Sequence, residues 1–509
     1  MTLVTRDVAP VSASQGSSEA LWRALIFVPC FTVLSILIPA LLVMQVSDAG
    51  RSSAWGLALL VAAWSGLRLS MLLAGGEARF FAFFIWLFTY IFMGIAPAVQ
   101  IRSNQPSRTT PDVLPSLDNP TMLVVILGLV AFEVATFLSW LTSRRLAHRA
   151  PAATNEVATN EAATHEAVSE DRAGVRPVAV IVLAAAGVAV SAYYISRVGL
   201  PALLTSRDAA ALGRFRAWVD PAIRAIIFAV TIYPLLVAVG GLERLRHATR
   251  WPLTRLIYLL LTLGGAAVLL VVVNPISSPR YTLGTVLFAL AVLFGAANTR
   301  SRTRFTMAAV IFGLFFLFPL ADAFRLDQAN FSRAGFFGEY GANPDYDSVW
   351  QVANAMTYWD SGVATPGFQA LGLPFFWTPR ALWPGKPLDT GVVLATANGY
   401  NTTNLSAPLW AEALVNGGLV AVVLVFLVLG LVIRRLDSRV VSALSPSPQR
   451  RAGAVWVIAG AVFPPYFMIL MRGSLLQATG AVAVMIACLL IVRRADRQRR
   501  AHSPPSVVG

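Results

Sequence analysis

Apolar stretches long enough to cross a bilayer recur along the whole chain, and short polar segments separate them. A transmembrane helix needs about 17 to 25 predominantly apolar residues. The pattern predicts an all-α polytopic membrane protein with about twelve transmembrane helices. The stretches lie near residues 24–45, 53–74, 79–99, 120–142, 176–196, 221–241, 252–273, 280–297, 304–323, 413–433, 452–470 and 475–493.

The polar intervals divide the chain into parts with different expected environments. Residues 151–175 contain tandem Ala-Thr-Asn-Glu repeats, which lack the apolar content to pack, and we expect a disordered linker without chemistry there. The longest polar interval, about ninety residues, is expected to form a large outer loop with short amphipathic helices. The predicted parts are a tail at 1–23, helices one to four at 24–142, the linker at 143–175, helices five to nine at 176–323 with a loop at 197–220, the large loop at 324–412, helices ten to twelve at 413–493 and a tail at 494–509.

Composition supports a membrane protein and argues against nucleic-acid binding. The chain is 57% hydrophobic and 13% charged, whereas soluble proteins are about a quarter charged. The net charge is +15, but the arginines lie mostly in short runs beside the apolar stretches. Five such runs fall on one side if the N-terminus is cytoplasmic, which is the positive-inside pattern. We therefore expect both termini in the cytoplasm, the lipid bilayer as a partner and no nucleic acid.

Cysteine and histidine usage predicts neither a disulfide nor a metal site. Cys30 and Cys488 lie in separate apolar stretches without a Cys-x-x-Cys motif. The predicted topology places all four histidines in the cytoplasm, so an outer site would have no imidazole base or ligand. The sequence also lacks a Walker-type phosphate loop. We predict no metal and no cofactor.

Several arginines occur in predicted outer segments, against the rule that concentrates positive charge in the cytoplasm. A guanidinium presents a planar fork of donors that pairs bidentately with phosphate. The cluster therefore predicts a binding site for a polyprenyl pyrophosphate; the alternative is that these side chains extend to lipid headgroups. The arginines are Arg280, directly after a proline-bounded turn, Arg207, Arg214 and Arg216 in the 197–220 loop, and Arg325 at the start of the large loop.

The large loop combines aromatic and acidic residues. Apolar residues recur at helical spacing between Asp345 and Trp359, which predicts an amphipathic helix on the bilayer or over the bundle. A carboxylate at the lipid–water boundary could act as a base toward a sugar hydroxyl. Glu412 is the first candidate, although it could equally be a helix N-terminal carboxylate stabilised by the helix dipole. The carboxylates on this side are Asp322, Glu339, Asp345, Asp347, Asp360, Asp389 and Glu412.

Three features together resemble the Wzy-type oligosaccharide repeat-unit polymerases, the O-antigen polymerases of bacteria. They are the large late loop, its Pro-Arg-x-Leu-Trp-Pro-x-Lys-Pro element at 379–387, and Glu412 followed by Asn416-Gly417-Gly418. Arg380 and Gly391, with ten residues between them, match the arginine-to-glycine spacing described for periplasmic loops of that family. The 197–220 loop does not repeat this spacing.

The resemblance implies polymerisation of undecaprenyl-pyrophosphate-linked oligosaccharide repeat units on the outer face of a bacterial inner membrane, without a metal. Arg280 with Arg207 or Arg214 would hold the diphosphate, and Glu412 would take the proton of the acceptor hydroxyl. A chain-length regulator and a flippase are further candidate partners. The other candidates for substrate binding are Arg216, Arg325, Arg380, Trp383 and Lys386.

Two other functional classes stay open. A second lipid-linked glycan transferase, related to the O-antigen ligases, would have the same general plan, but that group typically uses a periplasmic histidine. A transporter or flippase for lipid-linked oligosaccharide is the non-enzymatic alternative. Transporters tend to have internal repeats and broken helices, whereas this chain shows no duplicated halves and carries a long polar loop.

Overall fold

A computed structural model describes residues 13–107, 109–110, 112–149, 174–317, 337–403, 405–444 and 453–494. Regular structure in these ranges is helical, without a β-strand. The α-helices are α1 (Ala13–Phe31), α2 (Ile38–Gln45), α3 (Ala54–Gly75), α4 (Phe80–Phe88), α5 (Ala96–Arg102), α6 (Asp118–Arg149), α7 (Pro177–Val198), α8 (Leu200–Thr205), α9 (Arg207–Ala217), α10 (Pro221–Ala248), α11 (Pro252–Val272), α12 (Arg280–Ala291), α13 (Arg300–Phe312), α14 (Gly338–Ala342), α15 (Ser348–Asp360), α16 (Phe368–Leu371), α17 (Thr390–Ala397), α18 (Leu409–Leu444), α19 (Val455–Arg472) and α20 (Leu475–Val492).

Within the described ranges, ten helical stretches are long and apolar enough to cross a membrane. They correspond to ten of the twelve predicted spans, and the chain is an all-α polytopic membrane protein. The predicted span at 280–297 appears as a shorter apolar helix, Arg280–Ala296. The predicted span at 304–323 overlaps α13, and its last residues lie outside the described ranges, as does most of the predicted linker at 143–175.

Two of the spanning stretches change from α to π geometry shortly before a proline. The π segments are Thr32–Leu37 and Thr89–Ile95, and Pro39 and Pro97 each follow two residues after a segment ends. Proline lacks an N–H group, and its ring clashes with the carbonyl four residues earlier in a regular α-helix. A wider π turn before the proline relieves this conflict. Both π segments pack against α3.

The most enclosed span is Phe80–Arg102, which runs through α4 and α5 and has 94% of its apolar window buried. Residues 80–88 are almost entirely large and apolar, as expected for a helix surrounded on all sides. Its N-terminus is capped from another helix. Both carboxylate oxygens of Asp437, on α18, accept hydrogen bonds at 3.0 Å, one from Phe81 N–H and the other from Ala82 N–H.

Asp437→Ala is expected to destabilise the fold, because two helix N-terminal donors would lose their buried acceptor. Removal of a helix cap typically costs about 0.5–2 kcal/mol. Thermal unfolding of the purified protein in detergent should therefore begin at a lower temperature. Asp437→Asn, which keeps one carbonyl oxygen, is the matched control, and its unfolding temperature should lie between those of Asp437→Ala and the wild type. Equal unfolding temperatures for Asp437→Ala and the wild type would contradict the capping role.

Two charged residues within the membrane-spanning helices pair with each other. Arg68 on α3 donates from Nε and Nη2 to the two carboxylate oxygens of Glu133 on α6. Charged side chains at membrane depth are costly unless they are paired or reach water. The ion pair therefore fixes α3 against α6 as well as neutralising both charges.

The described part of the large loop, residues 337–408, folds onto one end of the helix bundle, which we call the loop end. The predicted helix between Asp345 and Trp359 is confirmed as α15, and it lies over the bundle against α6 and α18, with residues 348–355 buried. Gln100, at the end of α5, holds this segment in place. Its Nε2 donates to Tyr340 O at 2.8 Å and to Tyr346 O at 3.2 Å, and its Oε1 accepts from Trp350 Nε1 at 2.7 Å.

Candidate functional site

Two arginines contact one carboxylate, Asp345, at the loop end, and a third lies near enough to act on its charge. Arg280 is the first residue of α12, and its Nη2 donates to Asp345 Oδ2 at 3.1 Å. Arg472 is the last residue of α19; it donates from Nη2 to Asp345 Oδ1 at 3.1 Å and from Nε to Asp345 O at 3.0 Å. Arg207, the first residue of α9, is close enough to act on the Asp345 charge. We call Arg207, Arg280 and Arg472 the arginine cluster.

Asp345 is ionised because of this cluster. Burial alone would raise the pKa of its carboxyl, but the charges of Arg472, Arg280 and Arg207 outweigh burial and lower the pKa below its usual value. A second carboxylate, Glu339, lies 3.9 Å from Arg280 Nη1. The arginine cluster therefore holds carboxylate oxygens in positions where it could hold the oxygens of a phosphate.

Local structure brings the two sequence-predicted arginines of the cluster together. Asn274 Oδ1 accepts hydrogen bonds from the N–H groups of Ile276 and Ser277, which closes the turn before Arg280. Asn274 Nδ2 donates to Leu203 O on α8 at 3.1 Å, so the turn is tied to the helix that precedes Arg207. The turn thereby links the 197–220 loop to the start of α12.

Asp347 lies two residues from Asp345 and has a different environment. It is 2% exposed, and its Oδ2 accepts from Ser406 N–H at 3.2 Å and from Gln351 Nε2 at 3.3 Å. Its other oxygen, Oδ1, is buried and receives no hydrogen bond of normal geometry from the described residues, although the neighbouring Ser406 hydroxyl also acts on this carboxyl. Burial raises the pKa of this carboxyl, against the opposing charge of Arg472. Two neighbouring carboxyls with opposite pKa shifts are typical of acid–base sites.

Glu412, the carboxylate favoured by sequence, is buried, and both of its oxygens have partners. Oε1 accepts from Leu475 N–H, at the start of α20, at 2.8 Å, and Oε2 accepts from the Thr390 hydroxyl on α17 at 2.7 Å. A carboxylate at a helix N-terminus is favoured by the helix dipole. The turn between Arg472 and Leu475 connects Glu412 to the arginine cluster, and Ser474 in that turn donates to Asp389 at 3.2 Å.

Glu412 belongs to a short helical segment that a glycine pair separates from the rest of α18. Gly418 has φ 61°, a left-handed conformation that favours glycine. A Cβ atom at Gly418 would also lie 3.0 Å from the Trp359 ring. Just before the break, Asn416 accepts hydrogen bonds from Gly367 N–H and Ala370 N–H of the large loop. The break therefore provides the site where the loop docks on α18.

The other predicted site residues make contacts of their own. Arg380 donates to Lys386 O at 2.8 Å and Pro387 O at 3.0 Å, and Lys386 Nζ donates to Phe376 O and to Thr378 O. These side chains bind their own loop. Trp383 packs edge-on against Phe375, the Arg214 guanidinium lies over the Phe228 ring at 5.7 Å, Arg216 is exposed, and Arg325 lies outside the described ranges.

Sequence reasoning missed Arg472 and ranked Asp345 and Asp347 below Glu412. A signal for Arg472 was present, because it occurs in a predicted outer turn, where arginine runs against the topological bias. Nothing in the sequence indicated that Arg472 and Asp345, 127 residues apart, are in contact.

The fold and these contacts define a polytopic helical membrane protein with a partly buried charged site at the boundary between its helices and its large polar loop. Comparison of the chain with protein-family models, with curated proteins and with solved structures finds no match.

Gly391→Ala is expected to disturb the site, because a Cβ at Gly391 would lie 2.3 Å from Leu405 O. The two residues after Leu405 hold the site: Ser406 N–H donates to Asp347, and Ala407 N–H donates to Arg472 O. Overpacking of this kind typically costs about 1–3 kcal/mol, so thermal unfolding should begin at a lower temperature. Gly385→Ala, where a Cβ would meet nothing within 4 Å, is the control. Equal effects of the two substitutions would contradict the close approach.

Proposed function

We propose that this protein polymerises undecaprenyl-pyrophosphate-linked oligosaccharide repeat units into a cell-surface or exopolysaccharide, on the outer face of a bacterial inner membrane. The observation that carries the proposal is the pair of guanidinium groups, those of Arg280 and Arg472, in contact with one carboxylate, with Arg207 near it, at the boundary between membrane helices and a polar loop. A substrate with a lipid tail, a diphosphate and a glycan needs apolar helices, guanidinium groups and a polar loop side by side.

The arginine cluster supplies what the departure of a diphosphate requires. In glycosyl transfer the bond between the anomeric carbon and the diphosphate oxygen breaks, and the bonding electron pair stays on the diphosphate. Guanidinium groups that already surround an anion can stabilise the added charge without reorganisation. Asp345 would hold Arg280 and Arg472 in place before substrate binds, and phosphate oxygens would then compete with it for both side chains. In this mechanism the arginines stabilise the negative charge of the leaving diphosphate in place of a metal ion, so the transfer is metal-independent.

The acceptor sugar must lose a hydroxyl proton as its oxygen bonds to the anomeric carbon. Asp347 is a better candidate for the base than Glu412, because no described donor makes a hydrogen bond of normal geometry to Asp347 Oδ1, whereas both oxygens of Glu412 accept such bonds. The proton would pass to Asp347, and the released polyprenyl diphosphate would leave through the membrane. Glu412 would have a structural role, because its hydrogen bonds join α17, α18 and α20 beside the site.

The test is product analysis with purified protein in liposomes, supplied with a lipid-pyrophosphate repeat unit from its host and no added metal. We expect a ladder of glycans that differ by one repeat unit. The same glycan on a lipid monophosphate is the matched control and should give little polymer, because its leaving group lacks the second phosphate. Transfer of the glycan only to a different acceptor would indicate a ligase-like transferase. Movement of intact substrate between leaflets without a ladder would indicate a transporter.

A further inference from the structure

We infer that residues 368–388, which we call the hairpin segment, insert into the hydrocarbon layer at the loop end, and that lipid acyl chains cover their apolar side chains. The inference does not depend on the proposed reaction. It rests on the exposure of this segment, its depth beside α20 and the way its backbone polar groups are satisfied.

The hairpin segment exposes an unusual amount of large apolar surface. Leu382 is 78% exposed and Trp377 is 66% exposed, and three more of its apolar side chains are about half exposed. Such surface is unfavourable in water by roughly 25 cal/mol for each Å². Extended exposed apolar patches mark membrane or partner contacts. The three further residues are Leu371, Phe375 and Leu388.

Contacts with α20 show how deep the segment lies. A Cβ at Gly372 would lie 3.2 Å from the Leu476 side chain, and a Cβ at Gly480 would lie 3.7 Å from the Phe376 ring. Helix α20 has 18 residues and is therefore about 27 Å long, slightly less than the roughly 30 Å hydrocarbon layer. Almost all of α20 is needed to span that layer. Gly480 is five residues into the helix, so the Phe376 ring beside it lies at the depth of the acyl chains.

Non-helical backbone at this depth is costly wherever its polar groups face lipid without partners. Arg380 and Lys386 provide partners for four of the carbonyls, those of Phe376, Thr378, Lys386 and Pro387. The segment also contains four prolines, which have no N–H to satisfy. The two cations thus satisfy four carbonyls within the segment, while Arg380 and five large apolar side chains remain exposed at its surface. Continuity with the lipid-facing surface of α20 identifies lipid as the occupant of this face.

Spin-label accessibility in liposomes tests the insertion directly. Single cysteines replace Trp377 or Leu382 in a Cys30→Ala, Cys488→Ala background, and Asn401→Cys is the control, because Asn401 is an exposed residue of the same large loop. We expect labels at 377 and 382 to collide more with oxygen, which dissolves in acyl chains, than with a water-soluble nickel chelate. The label at 401 should show the reverse. Nickel-dominated collisions at both hairpin positions would overturn the inference and leave the face open to water or to a protein partner.

A second variant tests the role of the internal donors. Lys386→Met keeps an unbranched side chain but removes the donors to Phe376 O and Thr378 O, so these carbonyls need water. The oxygen-to-nickel collision ratio of the label at 382 should then fall several-fold toward the value at 401. Lys386→Arg, which retains donors, should keep the parent ratio. An unchanged ratio in Lys386→Met would overturn the role assigned to Lys386.

Discussion

Arg280→Ala should reduce the rate of glycan polymerisation by at least about 100-fold, the usual cost of removing one donor from a preorganised anion site. Its guanidinium contacts Asp345 Oδ2, and no other side chain of the cluster donates to that oxygen within the described ranges. Arg280→Lys, which keeps the charge but loses the fork, should retain intermediate activity. The measurement is the initial rate of ladder formation in liposomes.

Arg224→Ala is the matched control for this substitution. Arg224 lies near the start of α10, and its guanidinium lies over the Phe215 ring at 5.2 Å, outside the arginine cluster. We expect wild-type polymerisation in this variant. Arg280 is buried beside Asp345 and Glu339, so its removal should also lower the unfolding temperature, and the rate is therefore compared per folded protein. Full activity in a stable Arg280→Ala protein would remove the cluster from the reaction.

Hydropathy predicted the helical architecture well because the membrane imposes a local rule. A helix satisfies its own backbone groups in the hydrocarbon, so every helical span appears as a predominantly apolar stretch of spanning length. The exception at 280–297 has a local cause. Gly295, with φ 100°, ends regular helix geometry in this stretch, and the helix is too short to count among the ten.

The site was predicted only in part, because its contacts join distant parts of the chain. The topological bias identified Arg207 and Arg280, since each arginine can be judged against its own loop. Asp345 contacts both Arg280 and Arg472, and it is 65 residues from the first and 127 residues from the second in the chain. No periodicity connects positions so far apart.

The 379–387 element shows a second limit of sequence reasoning. An arginine and a lysine among aromatic residues have the same sequence pattern whether they face a glycan or their own backbone. The structure pairs Arg380 and Lys386 with four carbonyls of the hairpin segment. The same limit applies to Glu412. Its position at the start of a helix predicts that the side chain is held firmly, but it does not predict which donors reach the two carboxylate oxygens.

Asp347→Asn is expected to lower the polymerisation rate by about 100-fold or more, the range for loss of a general base. Stability should change little, because the amide oxygen can still accept from Ser406 N–H and Gln351. The wild-type rate should fall as pH decreases through the pKa of Asp347, since the protonated carboxyl cannot accept a proton. Burial raises this pKa, so the decline should begin above the pH at which an exposed aspartate titrates. Asp347→Asn should lack this pH dependence.

Glu412→Gln separates the two candidate bases. Glutamine keeps an oxygen for Leu475 N–H, and its amide can donate to the Thr390 hydroxyl, so the contacts of Glu412 can persist without its charge. If Glu412 is structural, this variant should polymerise at close to the wild-type rate and keep the same pH profile. The opposite result would assign the role of base to Glu412. In that case Glu412→Gln would be stable but inactive and would lack the fall in rate at low pH, while Asp347→Asn would remain active. The arginine cluster would keep its role in that case, because Glu412 reaches it only through the turn between α19 and α20.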